Sequence, residues 1–446
     1  MRIFYNILFV ILFVLASPYY FWRLWRRGNW KQGFRERFGR YDNNLKQALT
    51  NRHILWLHAV SVGEVRLCMQ LIHALEPRAP NLKFVVSTTT TTGMAELRRL
   101  PPHISKVYYP IDYSRFVARA LTTIHPDAVV LFEAEIWPNF IWQVKRRGIP
   151  LYLANARLSE RSFRGYKRLG FLFRGLFESF DGVGTQNEAD AERLRAVGCR
   201  PGAVHVVGNL KYDGAVVNEH RMLDVPGLLK RLGVDDDTPI LLGGSTHDGE
   251  EILLAEIAQR LRAKMPNLFL ILVPRHFERS NEVARQLRDR GVKLTFRTSI
   301  GETTHYAPGE IECLLVNTTG ELRFFYEHAT VVFVGKSITA QGGQNPIEPG
   351  ALGRAIVFGP HMQNFADIAR QFVERGGAVQ VQDAERLEKV LGELLADQYQ
   401  RAELGRNALL VVSENHGAVN RTADMILRKL KSREIYVVPD RVAQLD

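Results

Sequence analysis

The sequence predicts an α/β protein of two Rossmann-like, doubly wound domains, preceded by an N-terminal membrane-anchor helix. The chain has 446 residues, which is longer than a domain with a single hydrophobic core normally is. Short apolar runs alternate along it with amphipathic stretches of helical length. An apolar stretch at the N-terminus predicts the anchor. We expect the two domains to face each other across a cleft at the carboxyl ends of their strands, where ligands bind in parallel sheets.

The composition excludes a disordered protein and a disulfide-stapled one. Apolar residues make up 46% and charged residues 24%, as in ordinary globular proteins. The three cysteines, Cys68, Cys199 and Cys313, are too widely separated for a metal motif or a disulfide framework, which favours a reducing cytoplasm. The formal charge of +12 favours an anionic partner such as nucleic acid, phosphorylated lipid or an anionic membrane face.

The N-terminal stretch 3–22 is almost continuously apolar and about as long as a bilayer-spanning helix requires. Basic residues follow it, which predicts that the rest of the chain lies on the cytoplasmic side of the membrane. We therefore predict an anchor over 1–22 and a basic juxtamembrane segment over 23–50. A cleaved signal peptide is the alternative, but it normally carries its charges before the apolar run and a small-residue cleavage site after it.

The alternation of strands and helices sets the predicted domain limits. Residues 213–226 become polar and irregular, so we predict an N-terminal domain over 51–215, a C-terminal domain over 226–430 and a tail over 431–446. The predicted strands are 53–58, 84–88, 128–133, 151–154, 204–208, 240–245, 268–274, 330–335 and 355–359. The predicted helices are 64–75, 136–147, 189–196, 250–264, 280–290 and 385–395.

A loop of small residues, HAVSVGE (58–64), follows the first predicted strand. Ser61 and Gly63 leave room for a ligand beside the backbone, and Glu64 falls at the start of the next helix. A carboxylate there is a favourable partner for the helix dipole. It also lies at the carboxyl end of a strand, where it can act as a general base. The sequence leaves both roles open.

Two acids, Glu133 and Glu135, end another predicted strand in the motif FEAEIWPN (132–139). Carboxylates beside a buried strand need partners, which favours a functional role. The alternative is that they cap the helix that follows.

The motif NARLSERS (155–162), with Asn155 and Arg157, leads into a stretch where basic and aromatic residues alternate up to Phe177. Such a helix can lie on a membrane or bind phosphates, or it can be a core helix with a solvated face. No nucleic-acid recognition module is present, so we predict no nucleic-acid partner.

Four motifs of the second half lie at successive strand ends, which predicts a nucleotide site. The segment 242–251 joins a strand, a glycine-rich turn and a helix start, so its backbone N–H groups suit an anion. Arg275 ends the next strand with a guanidinium that can bind phosphate bidentately. The segments 318–322 and 342–349 each open a helix after a strand.

Two apparent ligand motifs are excluded. The triplet 335–337 (GKS) resembles the end of a P-loop, but Thr330 stands at the earlier glycine position. The acidic run 235–237 reads as a solvated loop, and the chain has no HExxH motif or Cys/His cluster. We therefore expect no metal and no other cofactor.

These motifs together resemble those of the bacterial 3-deoxy-D-manno-octulosonic acid (Kdo) transferases of lipopolysaccharide synthesis, over essentially the whole chain. The motifs HAVSVGE, EAEIWPN, NARLSERS, GNLKYD, STHDGEE, VPRH, TGEL and GGQNPIEP follow in the family's order. The resemblance implies the GT-B arrangement of two Rossmann-like domains, and metal-independent, inverting transfer of Kdo from CMP-Kdo to a lipid A precursor, lipid IVA, at the inner-membrane phospholipid surface.

The same resemblance implies roles for individual residues. Glu64 matches the family's general base, and Glu133 and Lys211 match positions that stabilise the transition state. The CMP-binding positions correspond to Pro274, Arg275, Thr319, Gly320, Glu321, Asn345, Pro346, Ile347 and Glu348. Further substrate contacts are expected from Ser61, Gly63, Asn155, Arg157, Ser245 and Thr246.

The chain departs from the family's usual residues at Thr319, Gln344 and the pair Ala340-Gln341, all on the donor side. Two alternative functions stay open from sequence. Another nucleotide-sugar transferase or epimerase would share the architecture. A non-enzymatic membrane protein that binds anionic lipid would explain the anchor and the charge, but it gives Glu64 and the second-half motifs no purpose.

Overall fold

The computed structural model describes residues 2–26, 32–216, 223–430 and 435, and the chain forms two compact units. Unit 1 comprises Met1–Gly214 and Gly417–Asp446, and unit 2 comprises Ala215–His416. The predicted α/β class with two parallel-sheet domains is confirmed. The cleft predicted between the domains stays a prediction.

Unit 1 contains a sheet of seven parallel strands: β1 (His53–His58), β2 (Leu82–Thr88), β3 (Ser105–Tyr108), β4 (Ala128–Phe132), β5 (Leu151–Ala156), β6 (Gly182–Thr185) and β7 (Val204–Val206). Their order is β3-β2-β1-β4-β5-β6-β7, so the direction of the strand sequence reverses between β1 and β4. All five residues of β4 are buried, as expected of a parallel strand covered on both faces. The reversal point is where doubly wound sheets bind ligands.

The helices of unit 1 before residue 214 cover this sheet or extend from it. They are α1 (Arg2–Arg26), α2 (Asn43–Leu49), α3 (Val62–Leu75), α4 (Thr91–Leu97), α5 (Ser114–Ile124), α6 (Pro138–Arg146), α7 (Glu160–Arg168), α8 (Gly170–Phe177) and α9 (Glu188–Val197). Residues of α3 and α4 belong to one buried cluster, and residues of α5, α6, α8 and α9 belong to another.

Unit 2 repeats the architecture with strands β8 (Ile240–Thr246), β9 (Phe269–Pro274), β10 (Leu294–Phe296), β11 (Cys313–Leu315), β12 (Val331–Val334), β13 (Ala355–Phe358) and β14 (Val379–Gln380). Their order is β10-β11-β9-β8-β12-β13-β14, and all pairs are parallel. The strand sequence reverses between β8 and β12, which therefore form the reversal point of unit 2.

The helices of unit 2 are α10 (Val225–Arg231), α11 (Glu250–Leu261), α12 (Ser280–Arg288), α13 (Leu322–Tyr326), α14 (Ile347–Ala351), α15 (Ala366–Glu374), α16 (Ala384–Ala396) and α17 (Gln398–Asn415).

The last helix, α18 (Ala418–Leu430), returns to unit 1, so the predicted C-terminal domain over 226–430 extends too far. The carboxylate of Asp213 accepts hydrogen bonds from the backbone N–H groups of Gly417 (2.6 Å) and Val419 (2.5 Å). Ile426 is buried in the same cluster as α3, and its carbonyl accepts a 3.3 Å hydrogen bond from the Tyr152 hydroxyl. The predicted tail 431–446 lies outside the described residues except for Ile435, which is buried.

Glycines of β6 explain why α18 can pack closely on the sheet. A Cβ at Gly182 would lie 2.8 Å from the Tyr152 ring and 3.2 Å from Met425, and a Cβ at Gly184 would lie 2.9 Å from Val207. Any larger residue would push these neighbours apart. The same glycines make the short β6 run GVGT look like a turn in the sequence, which is why no strand was predicted there.

Asp213→Ala is expected to lower the free energy of unfolding of unit 1 by about 1–2 kcal/mol, because it removes the N-terminal cap of a helix that covers the core. All six tryptophans lie in residues 22–142, so the fluorescence change in a urea titration reports unit 1 alone. Asp42→Ala, at the exposed cap of the seven-residue α2, is the control with a smaller expected loss. An equal effect of the two substitutions would contradict a stabilising role for α18.

The basic segment predicted over 23–50 is, in its described part from residue 32, packed on unit 1. The Glu36 carboxylate accepts a 2.7 Å hydrogen bond from the Tyr108 backbone, and the buried Arg37 lies over the Tyr108 ring at 4.4 Å. Tyr41 donates to the Tyr108 carbonyl. The juxtamembrane linker of the sequence prediction is therefore, from residue 32, an integral part of unit 1.

Helix α1 covers the predicted anchor, 1–22. Among the residues that the structure describes, no helix combines the length and the hydropathy that crossing a bilayer requires, so the spanning anchor is not shown.

The first turns of α1 attach to unit 1 through a buried carboxylate, Asp112. The Tyr5 hydroxyl donates to Asp112 at 2.8 Å, and the backbone N–H groups of Asn139 and Phe140 donate to the same carboxylate at 3.0 and 2.8 Å. The side-chain amides of Asn6 and Asn139 exchange hydrogen bonds of 3.0 and 3.2 Å. Burial raises the pKa of Asp112 to about 7. Helix α1 is thus connected to the start of α6.

Candidate active site

The Glu64 carboxylate lies at the reversal point of unit 1, in the first turn of α3. Ser61 is the N-cap of α3, and its hydroxyl donates to Glu64 at 2.7 Å while accepting from the Glu64 backbone N–H at 3.2 Å. The Val60 backbone N–H donates to the other carboxylate oxygen at 2.9 Å. This is a variant of the capping box, in which Glu64 accepts from the residue before the N-cap, so Glu64 has the helix-capping role considered in the sequence.

The environment of Glu64 also suits proton transfer. The residue is 8% exposed, and burial raises the pKa of its carboxyl group, opposed by the hydrogen bonds from Val60 and Ser61 and assisted by the charge of Glu133. A carboxylate whose pKa is raised is a stronger base near neutral pH. The neighbouring Gly63 is exposed, and a Cβ there would meet only the Ser61 hydroxyl at 3.8 Å, so space in front of the loop is open.

Glu133 follows β4 at the same reversal point, in a left-handed conformation with φ 54°. Its carboxylate pairs with the guanidinium of Arg157 at 3.0 Å. The next acid, Glu135, accepts a 2.7 Å hydrogen bond from the Trp137 indole. Burial, opposed by that hydrogen bond and assisted by the charges of Glu64 and Glu133, raises the pKa of Glu135 to about 7. Three carboxylates therefore interact at the carboxyl ends of β1 and β4.

Asn155 and Lys211 are linked through the backbone. Asn155 is fully buried, with φ 51°, and its side-chain oxygen accepts a 3.1 Å hydrogen bond from the backbone N–H of Leu210. The neighbouring Lys211 backbone N–H donates to Asn209 at 3.1 Å. Through this contact Asn155 positions the segment that carries Lys211. The substrate contact predicted for Asn155 stays a prediction.

The candidate donor residues of unit 2 surround the carboxyl ends of β9, β8 and β12. Pro274 is the buried last residue of β9, and the exposed Arg275 follows it. Thr246 ends β8, and its buried hydroxyl donates to Glu251 at 3.0 Å; its predicted substrate contact stays a prediction. Ser245, with φ 53°, adopts a left-handed conformation inside the strand.

Two further predicted donor segments lie at short helix starts. Glu321 precedes α13 and accepts from the Thr318 hydroxyl at 2.6 Å and from Arg297 at 3.2 Å; Thr319 and Gly320 beside it are exposed. Asn345 donates to Glu348 at 3.1 Å and accepts from the Ile347 backbone N–H at 3.1 Å, so residues 345–348, Pro346 included, form a closed turn at the start of α14.

Left-handed backbone at non-glycine residues concentrates at these strand ends. Of the six such residues in the described chain, four are Glu133, Asn155, Ser245 and Lys336, which end or follow β4, β5, β8 and β12. Each such conformation costs on the order of 1–3 kcal/mol of folding free energy, and residues strained in this way cluster at functional sites.

Comparison with known proteins identifies the family. A family model described as 3-deoxy-D-manno-octulosonic-acid transferase matches residues 32–214. The chain is 32% identical over 421 residues to the 3-deoxy-D-manno-octulosonic acid transferase of Haemophilus influenzae, covering 94% of each chain. It is 33% identical over 432 residues to that of Bordetella pertussis, covering 92% of this chain and 96% of the relative.

The chain belongs to the Kdo transferase family.

The predicted family and the predicted glycosyltransferase activity are therefore confirmed. A solved UDP-GlcNAc 2-epimerase from Neisseria meningitidis, bound to UDP-GlcNAc, matches 84% of this Kdo transferase and all of that chain with a TM-score of 0.56. At 14% identity this likeness shows the fold alone, which is the arrangement of two Rossmann-like domains expected from sequence.

The structure of this Kdo transferase also shows what the sequence missed. Gly243 and Gly244 lie within β8, as the predicted strand 240–245 has them. In the loop after β8, the backbone N–H of His247, predicted to suit an anionic ligand, donates instead to the Glu250 carboxylate at 2.8 Å. The sequence did not predict a role for the side chain of His247 or of Lys336, whose triplet 335–337 was excluded as a P-loop, because only the pairing of β8 with β12 brings the two residues together.

The basic-aromatic stretch 157–177 packs on unit 1 through one face and is otherwise exposed, since α7 has no buried residue and α8 buries only Leu176 and Phe177. Tyr166 packs edge-to-face on Phe173 (4.9 Å) and Phe177 (5.1 Å), as expected of a helix with one packed and one solvated face. Phe171 and Leu169 are exposed. Within the described chain no group of three or more His, Cys, Asp or Glu side chains is arranged to hold a metal ion; metal independence stays a prediction.

The free energy of unfolding of unit 1 is expected to fall between pH 5 and pH 8 as Glu135 loses its proton. Glu135→Gln is expected to make that fall smaller by about 1–3 kcal/mol. The folded enzyme holds the Glu135 proton up to a pKa of about 7, whereas the unfolded chain releases it near the ordinary value of 4.5. Stability from this group is therefore greatest below pH 4.5 and falls as pH rises to 7. Urea titrations followed by tryptophan fluorescence at both pH values measure it; an unchanged pH dependence would contradict the burial argument.

Proposed function

We propose that this enzyme transfers Kdo from CMP-Kdo to a hydroxyl group of a lipid A precursor, lipid IVA, by direct inverting displacement without a metal. The observation that carries the proposal is Glu64, a buried carboxylate of raised pKa at the reversal point of unit 1, beside an open glycine. Glu64 accepts the proton of the acceptor hydroxyl as its oxygen attacks the anomeric carbon of Kdo.

The leaving CMP carries developing negative charge on its phosphate, which cations must stabilise. Arg275 and Lys211 are the proposed cations. The backbone N–H groups of His247 and residues 336–338 already donate to Glu250, so side chains rather than these amides serve the phosphate. Glu133, paired with Arg157, completes the acceptor side, where it contributes to stabilising the transition state.

We further propose that α1 attaches the enzyme to the cytoplasmic face of the inner membrane. Its exposed side chains are largely apolar, among them Ile7, Val10, Ile11, Val14 and Leu15. An apolar helix face followed by basic residues suits an anionic phospholipid surface. Flotation with vesicles containing anionic lipid tests this, and equal flotation of a chain lacking residues 2–26 would overturn it.

Incubation with CMP-Kdo and lipid IVA, with the products read by mass spectrometry, tests the transferase proposal. A product heavier by whole Kdo residues is expected, and the mass also counts the additions. CMP should inhibit and UDP should not, and activity should survive a chelator. Inhibition by UDP with no Kdo transfer would favour another nucleotide-sugar enzyme instead.

A further inference from the structure

Four cationic or imidazole side chains, His247, Arg275, His276 and Lys336, lie at the ligand-binding edge of the unit 2 sheet; we call them the cation cluster. His247 follows β8, Arg275 and His276 follow β9, and Lys336 comes two residues after β12. These three strands are neighbours in the order β9-β8-β12, so their carboxyl ends are adjacent. The His247 and His276 rings are 5.7 Å apart, edge to face.

A buried carboxylate fixes the two loops on either side of the reversal point. Oε2 of Glu250, a fully buried residue, accepts from the backbone N–H of His247 at 2.8 Å and from that of Lys336 at 2.7 Å. Its Oε1 accepts from Ser337 at 2.8 Å and Ile338 at 3.2 Å. Because the backbone N–H groups of His247 and Lys336 both donate to this one oxygen, the two residues lie close together. The fold itself therefore places their side chains side by side.

Lys336 itself is an unusual residue at its position. Its φ of 57° is rarely adopted by a residue with a long side chain, and it is the only charged residue between positions 336 and 344. Among the described residues no carboxylate forms an ion pair with its ammonium group, whereas the nearby Arg279 is paired with Asp248 (2.9 Å) and Glu251 (3.1 Å). A strained cation without a protein counter-ion suits an anionic ligand.

The pKa of His247 is lowered by burial and by the positive charges of the same cluster. Burial, together with the charges of Lys336, His276, Arg279 and Arg275, lowers the pKa of His247 to about 4. The imidazole is therefore neutral at pH 7 and can donate one hydrogen bond. Arg275 and Lys336 supply the positive charge.

We propose that Lys336, assisted by the His247 imidazole, binds the carboxylate of the donor sugar, while Arg275 binds the donor phosphate. The assignment rests on the proposed donor, a nucleotide-activated 2-keto sugar acid. In such a donor the anomeric carbon bears both the carboxylate and the phosphate oxygen, so its two anionic groups lie side by side. Arg275 follows β9 and Lys336 follows β12, on either side of β8, so two long cationic side chains flank the site for that pair of charges. A neutral sugar would leave Lys336 without its ligand.

Binding constants for CMP and CMP-Kdo, measured by calorimetry for wild type and Lys336→Met, test the assignment. Wild type should bind CMP-Kdo more tightly than CMP. Lys336→Met should weaken CMP-Kdo binding about 10- to 100-fold, the size of one charge-assisted hydrogen bond, and change CMP binding less than about threefold. Lys336→Arg should restore part of the CMP-Kdo affinity.

Two control variants separate the outcomes. Arg275→Met should weaken both ligands, and Lys389→Met, on the exposed face of α16, should change neither. Equal weakening of both ligands by Lys336→Met would place Lys336 on the phosphate, and no change in either would remove it from the site; both results overturn the proposal. Because binding needs no turnover, a wild type that binds CMP-Kdo but transfers nothing would refute the proposed function and leave this assignment standing.

Discussion

Glu64→Gln is expected to lower the rate of Kdo transfer by about 10²–10⁴-fold while leaving the affinity for CMP unchanged. Glutamine keeps the size of the side chain and can accept the Val60 hydrogen bond, but it cannot take a proton from the acceptor hydroxyl. The measurement is kcat from product mass under saturating CMP-Kdo, with CMP affinity measured separately.

The capping role of Glu64 calls for a matched control. Ser61→Ala removes the other half of the capping box, the bonds of 2.7 and 3.2 Å to Glu64, but leaves the carboxylate. If Glu64 acted only by capping α3, both variants would lose about 1 kcal/mol of stability and comparable activity. The base assignment requires Glu64→Gln to lose far more activity than Ser61→Ala at similar stability; near-normal transfer by Glu64→Gln would refute it.

Glu250→Gln is expected to destabilise unit 2 by about 2–5 kcal/mol and to weaken donor binding. The carboxylate accepts four backbone N–H groups, whereas an amide has one acceptor oxygen and turns its own N–H donors toward the remaining groups. Each buried donor left unsatisfied costs about 1–3 kcal/mol. Faster hydrogen exchange in segments 245–250 and 335–339 measures the loss.

Asp248→Asn is the matched control, two residues away in the same motif. Asp248 is exposed and pairs with Arg279 at the surface, so its loss should cost less than about 1 kcal/mol. If Glu250→Gln were as mild as Asp248→Asn, the two loops would be held by other contacts. In that case the joint positioning of His247 and Lys336 would lose its physical basis.

The sequence predicted best the elements whose burial is uniform. Strand β1 was predicted over its full extent, and β4, β9 and β13 to within a residue at each end, because parallel strands covered on both faces are continuous apolar runs. Strands β3, β6, β10, β11 and β14 were missed. They have two to four residues, and polar residues or glycines interrupt several of them, so only pairing with neighbours identifies them.

The residues of the candidate site also differ in whether the sequence could predict their roles. Glu64 and Glu133 could be predicted because each follows a strong strand, and both lie at the reversal point of the unit 1 sheet. The roles of Asn155, Thr246 and Glu250 could not, since each depends on a hydrogen bond to a distant part of the chain or on burial that no local pattern reveals. The return of α18 depends in the same way on Asp213, 204 residues earlier than its partner Gly417.

That return has a consequence for how the protein is made. After Gly214 the ribosome must synthesise all of unit 2, about 200 residues, before it reaches the helix that completes unit 1. At about 5–20 residues per second this takes roughly 10–40 s. Unit 2 is continuous and can finish folding first, while the nascent unit 1 exposes the apolar surface around Tyr152 and Gly182 that α18 later covers. Unit 1 can therefore complete its core only after the whole of unit 2 has been synthesised.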